Sequence, residues 1–278
     1  MRRFLVPVYP GIETTSVFPM ATRLARAGDS HLTGVAAESP FTIAAFGGFI
    51  GQADIVFVEQ RAAQIEETSR GIFVDAMTAA DIEPTPRAKP GLGFDWLERR
   101  AGVRVEIAEE ARVFDLTIVA LPGEDETGCP PAVLDSCLFD SGRPVLVVPP
   151  QQHETFGKTI AIAWNGSSET ARTIQFGMGL LAKAERIVVV EVEGVGVPGP
   201  DASALTEHLA GHGFAVSSHR ATLGSRQHGQ AFLEECEKVG ADLMFKGAYT
   251  QSRFRQMIFG GATAYLLQHA TMPMLMAN

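Results

Sequence analysis

The chain has 278 residues, 46% apolar and 20% charged, with a formal net charge of −9. That length and balance suit a globular protein with room for two domains, each with its own core. The negative charge argues against binding a phosphate backbone or an anionic membrane surface, so neither a nucleic acid nor a membrane is expected as a partner.

No run approaches the roughly 18 uninterrupted apolar residues of a membrane span. Cys129, Cys137 and Cys236 are odd in number and form no paired-spacing motif. Such usage fits reduced thiols in a cytoplasm.

In chain order, Arg3–Val8 reads as a buried first strand, not a signal peptide. After a second strand comes an insertion, apolar and Gly-rich over Phe41–Gln52 and placed around 41–56; a helical pattern follows over Val58–Ala80. Phe114–Leu121 reads as a strand, Ala132–Leu134 as helical and Val145–Val148 as a strand after Pro144. Pro149–Glu154 suits a linker, with domains at 1–150 and 155–278.

In the second half, strands are expected at Thr159–Trp164, Arg186–Val192, Phe214–Ser218, Leu243–Phe245 and Pro273–Met276. Helices are expected between them at Glu169–Leu181, Ala202–Ala210, Gly229–Lys238 and Ala262–His269. Short Val/Ile/Leu-rich runs alternating with helices argue an α/β fold, its parallel sheet covered on both faces. Both halves start and end alike, so the chain is a domain duplication.

The last strand-to-helix connection carries the most chemistry. Ala241–Phe245 runs into Gly247, a basic loop follows, and Gly260-Gly261 opens a helix. Glycine lets backbone approach a phosphate closely, and the free N–H groups of a helix start favour an anion. This layout resembles the nucleotide loop of the universal stress protein family. The resemblance covers both halves and is strongest over Lys158–Leu181 and Ala241–Met276.

The resemblance implies two tandem open parallel five-stranded sheets flanked by helices, of the adenine nucleotide alpha hydrolase-like kind. It also implies ATP, or another adenine nucleotide, with magnesium, bound through the pattern G-x-x-G, nine residues, G-[S/T]. Gly247 matches the first glycine, Thr250 replaces the second, Gln251–Phe259 is the spacer, Gly260 matches the third, and Gly261 takes the Ser/Thr place. Asn165 stands where an acidic residue closes the family's first strand, and it keeps an acceptor for a base or ribose. The implied site is Ala163, Asn165, Gly247, Thr250, Ser252, Arg253, Gly260, Gly261, Ala262 and Thr263, with Arg255 nearby. The first half departs further: its loop carries Glu124, Asp125 and Glu126, which would repel a phosphate, so no ATP is expected there.

Other motifs carry less. Gly194-Val195-Gly196-Val197-Pro198-Gly199 matches G-x-G-x-x-G, but prolines follow where a dinucleotide fingerprint needs a helix. A helix cap is expected at Asp201 or Ser203. His208 and His212 share a helix face without further ligands in view, and His212 suits a helix C-terminus. Cys137 and Cys236 read as packing residues and Cys129 as a loop thiol open to reaction. Met272, Met274, Met276 and Phe245 read as sheet core.

The reading is a cytoplasmic stress-response protein that acts by binding. Its halves would pair within the chain through their last strands, and a homodimer is a further expectation. No general base or nucleophile is in view, so at most slow ATP hydrolysis is expected. Two alternatives stand: an interaction protein that binds no nucleotide, and a small-molecule sensor that uses the insertion.

Overall fold

The computed structural model describes residues 1–12, 15–37, 52–98, 106–122, 128–249 and 261–278, with side chains of the long helix described from residue 59 onward. Packing divides the chain into two compact units, Met1–Arg143 and Pro144–Asn278.

The first unit runs β1 (Arg3–Val8), α1 (Val17–Gly28), β2 (His31–Ala36), α2 (Gln52–Ala79), β3 (Gly93–Trp96), α3 (Ile107–Ala111), β4 (Leu116–Ala120) and α4 (Pro131–Asp140). Its strands lie in the order β3-β2-β1-β4 with parallel pairing. Every residue of β2 and β4 is buried, as expected of parallel strands covered on both faces. α1 turns Val17, Phe18, Ala21, Leu24 and Ala25 inward, a helical stripe facing the core. Phe73 of α2 anchors the packing, 5.8 Å centroid to centroid from both Phe94 and Trp96. A side chain on Gly34 would begin 2.6 Å from both Phe73 and Trp96, so the glycine makes room for them.

The second unit runs β5 (Val145–Val148), β6 (Thr159–Trp164), α5 (Ser168–Leu181), β7 (Arg186–Glu193), α6 (Ala202–Gly211), β8 (Val216–Thr222), α7 (His228–Lys238), β9 (Leu243–Gly247), α8 (Ala262–His269) and β10 (Met274–Ala277). Five strands in the order β10-β9-β6-β7-β8 pair in parallel, and β5 adds antiparallel to β10, Leu146 opposite Leu275. In each repeat the first strand lies between the second and the fourth: β1 pairs β2 and β4, and β6 pairs β7 and β9. The duplication read from sequence is thus one topology used twice.

β5 closes the first sequence repeat but packs with the second unit through its hydrogen bonds to β10. Phe245, Met272, Met274 and Met276 are core residues, as their setting suggested. Asp201 caps α6, its carboxylate accepting from Ala204 N at 3.0 Å, and His212 stands at the same helix's C-cap. α2 begins earlier than its apolar pattern indicated. β8 lies further along than expected, at Val216–Thr222, and mixes exposed and half-buried residues with none buried, as suits an edge strand. Residues 41–51 of the insertion and the acidic residues Glu124, Asp125 and Glu126 lie outside the described residues.

Candidate functional site

The C-terminal ends of β6 and β9 meet the start of α5. Ser167 caps α5: its hydroxyl accepts from Thr170 N at 3.2 Å. Thr170, fully buried, is the hub of a polar chain. Its hydroxyl donates to Asn165 Oδ1 at 2.8 Å and accepts the N–H of Gly247 at 3.2 Å. Asn165 Oδ1 also accepts from Ser167 N at 3.4 Å. The ends of β6 and β9 are thereby tied together through a residue that lies in neither strand. Gly247 touches the helix start closely: a Cβ there would lie 2.5 Å from Thr170 N and 2.8 Å from the Glu169 carbonyl carbon.

Beyond β9, Tyr249 has a left-handed backbone, φ 52, an uncommon conformation for a bulky residue. Its N–H donates to Thr263 Oγ1 at 3.3 Å, tying the strand exit to the first turn of α8. α8 opens on Gly261, and among the described residues no side chain caps it; the first N–H groups of a helix have no acceptor within the helix.

On the other side of Asn165 lies a cleft of about 510 Å³. Trp164, Asn165, Glu191, Asp201 and Arg220 are among its walls. Arg220 bonds Glu191 at 2.8 Å and Asp201 at 2.6 Å, so its charge is matched within the wall. The Ala204 N–H and Arg220 hold the Asp201 carboxyl below its ordinary range. The glycine run Gly194–Gly199 is the roof. Val197 N–H donates to Asn165 O at 3.0 Å, and Trp164 Nε1 donates to Pro200 O at 2.9 Å. A Cβ on Gly199 would sit 2.6 Å from Gly166 O. Gly196 and Gly199 serve a close approach of two loops, whereas Gly194, with nothing within 4 Å, answers a positive φ of 80.

Under the same strand end lies Lys246, 2% exposed. Its Nζ donates to Gly247 O at 3.2 Å and stands 5.6 Å from the Phe232 ring centre. Burial pulls its pKa down to about 8, against the attraction of Glu169.

Residues 157–278 match the family model of the universal stress protein family. The match covers the second half of the chain. A universal stress protein from Archaeoglobus fulgidus DSM 4304 has a similar structure: TM-score 0.69 at 14% identity, covering 99% of this chain and 96% of that one. A functionally unknown protein from Pseudomonas aeruginosa PAO1 gives a TM-score of 0.51 at 14% identity, over 100% of this chain and 92% of that one. At that identity the likeness concerns the fold, and it extends the universal stress fold to the N-terminal half. No curated protein matches the sequence.

Of the residues expected in the universal stress nucleotide site, Asn165, Gly247 and Thr263 are drawn together by the Thr170 and Tyr249 hydrogen bonds. Ala163 is fully buried in β6, and Gly261 and Ala262 open α8. Thr250, Ser252, Arg253, Arg255 and Gly260 lie outside the described residues. Thr170, Lys246 and the Arg220 wall were missed; only the Ser167–Thr170 spacing hinted at a cap.

Cys129 corrects its reading as a reactive loop thiol. It is 1% exposed, and burial pushes its thiol well up, with Cys137 adding to the effect. The imidazoles of His208 and His212 meet edge to face, 5.0 Å between centroids. Among the described residues no group of three or more His, Cys, Asp or Glu is placed to hold a metal, and no helix is long and apolar enough to cross a membrane.

Proposed function

We propose that the second universal stress domain binds an adenine nucleotide, ATP with magnesium by preference, in a cytoplasmic stress response. The observation that carries this reading is the hydrogen-bonded chain Asn165–Thr170–Gly247, which joins a nucleoside-sized cleft to a strand end facing an uncapped helix. The two ends differ in chemistry. The cleft wall offers carboxylates and Asn165, acceptors suited to ribose hydroxyls and a base amine. The exit of β9 and the start of α8 offer backbone N–H groups, suited to phosphate oxygens.

In this arrangement Gly247 shapes the site, because its own N–H is engaged by Thr170. Gly261, Ala262 and Thr263 would offer helix-start N–H groups, with Thr250, Ser252, Arg253 and Gly260 in the preceding sequence.

Thermal unfolding of the whole chain with and without Mg-ATP tests the reading. A ligand at one hundred times its dissociation constant stabilises the fold by about 2.7 kcal/mol. Gly261→Asp gives a sharp control: aspartate is a favourable N-cap and suits the helix dipole, yet it repels phosphate. The variant should fold well and lose the ATP shift. An unchanged shift in Gly261→Asp, or none in the parent up to millimolar ATP, rejects the site.

A further inference from the structure

The strand registers align the two repeats residue by residue. Phe4 of β1 stands opposite Leu116 of β4, and Ile160 of β6 opposite Leu243 of β9. Val119 in the first repeat therefore occupies the place of Lys246 in the second. Val119 is fully buried, and Lys246 is 2% exposed. The same fold closes this position once with an aliphatic side chain and once with an amine. The fold does not need a cation here, and burying one costs free energy unless it is paired.

The compensation Lys246 receives is thin. An ammonium carries three N–H donors, and among the described residues its one acceptor is Gly247 O, at 3.2 Å. No carboxylate among the described residues forms a salt bridge with it. Glu169, in the first turn of α5, attracts it. From α7 it meets the Phe232 ring and Cys236, whose buried thiol is pushed up and so stays neutral. On β10 its register partner is Met276. The long side chain turns to the C-terminal end of the strand, where Gly247 begins the connection to α8.

We propose that Lys246 is the buried cation of a phosphate subsite at the end of β9, its ammonium answering the oxygens of a polyphosphate held over Gly247 and the start of α8. The proposal rests on the nucleotide reading above. It explains why a costly amine stands where the sister repeat has valine: the charge is left under-compensated by protein and completed by ligand. A linkage follows. In the free protein burial holds the amine near a pKa of about 8. A phosphate beside it favours the charged form and raises that value. Binding then takes up protons at pH 8 and above, and affinity, steady below pH 8, falls by up to about tenfold per pH unit above it.

The test is calorimetric titration of the whole chain with Mg-ATP and with inorganic tripolyphosphate at pH 7, 8 and 9, in buffers of differing ionisation heat. Mg-ATP is fully ionised at the two higher values, so its own titration does not intrude on the proton count; tripolyphosphate, which still releases its last proton in that range, serves at pH 7 to separate phosphate from nucleoside recognition. The parent should take up a fraction of a proton per ligand at pH 8 and 9 and bind several-fold more weakly at 9 than at 8. Lys246→Met should bind about tenfold more weakly at pH 7, the loss expected for one hydrogen bond to a charged group, and show no pH step. The proton uptake is read on the parent alone, so it stands whatever the variant does. Equal affinity and equal pH dependence in parent and Lys246→Met would overturn the role of Lys246 and leave the nucleotide site standing. Failure of the parent to bind Mg-ATP at pH 7 would reject the site and Lys246 with it.

Discussion

Gly247 donates its N–H to Thr170 Oγ1 at 3.2 Å, and a side chain on Gly247 would begin 2.5 Å from Thr170 N. The glycine that opens the nucleotide pattern is thus also a packing glycine, fitted against the start of α5. Gly247→Ala should destabilise by about 1–3 kcal/mol, the usual cost of forcing a carbon into a filled space. Gly179→Ala, on the same helix with nothing within 4 Å, should stabilise by about 0.5–1 kcal/mol. Urea unfolding of both measures the contrast; a neutral Gly247→Ala would contradict the contact.

Thr170→Val keeps the shape and removes the hydroxyl shared by Asn165 and Gly247. A buried N–H at Gly247 would lose its acceptor, at about 1–3 kcal/mol. Chemical denaturation should show that loss, whereas Thr170→Ser should recover most of it.

Glu235 is a buried carboxylate that accepts from His219 at 2.8 Å, Arg226 at 2.7 Å and Lys238 at 2.8 Å. Burial pushes its carboxyl up, but the hydrogen bonds from Lys238, His219 and Arg226 outweigh this and hold it at about 2, below the ordinary 4.5. A lowered folded value means the stabilisation is complete above about pH 4.5 and lost as pH falls toward 2. Stability followed across that window should decline in the parent, and Glu235→Gln should be weaker at pH 7 with a shallower decline. Parallel curves would remove Glu235 from the account.

All three cysteines are buried, and burial pushes the Cys137 thiol up to about 12. A disulfide reagent at pH 7.5 should therefore react slowly with the folded chain and count three thiols once denaturant is added. Prompt reaction at Cys129 in the native protein would count against its burial.

Cutting the chain at the paired prolines removes β5 from β10. Residues 155–278 alone would expose the backbone edge of Met274, Leu275 and Met276, a template for pairing with another chain. Light scattering should show self-association of 155–278 that is relieved in 144–278. A monomeric 155–278 would show that the strand is dispensable.

Strands buried on both faces were legible because burial leaves an unbroken apolar run, as in Thr159–Trp164. β8 was read short and early because, at an edge, Ser217, His219 and Arg220 satisfy backbone pairing while showing no apolar signature. β9 was cut before Lys246 because a charge seldom enters a central strand. The candidate site was half legible. Gly247 matched the family's first glycine and Asn165 took the place of its acidic residue, but the hub, Thr170, sits inside a helix where sequence gives no cue beyond a cap. The Gly194–Gly199 spacing misleads for a physical reason: at Gly196 and Gly199 a loop pressed against a carbonyl, like one pressed against a phosphate, needs to lack a Cβ.

Trp164 closes β6 and lines the cleft, while Trp96 belongs to the first unit and donates to Glu66 at 2.6 Å. The chain has just these two tryptophans, one in each unit. Each unit thus carries its own intrinsic fluorophore, and Trp96→Phe or Trp164→Phe leaves an optical record of a single half. Unfolding of the two repeats can be followed separately without a label, and a nucleoside entering beside Asn165 would quench or shift the emission assigned to Trp164.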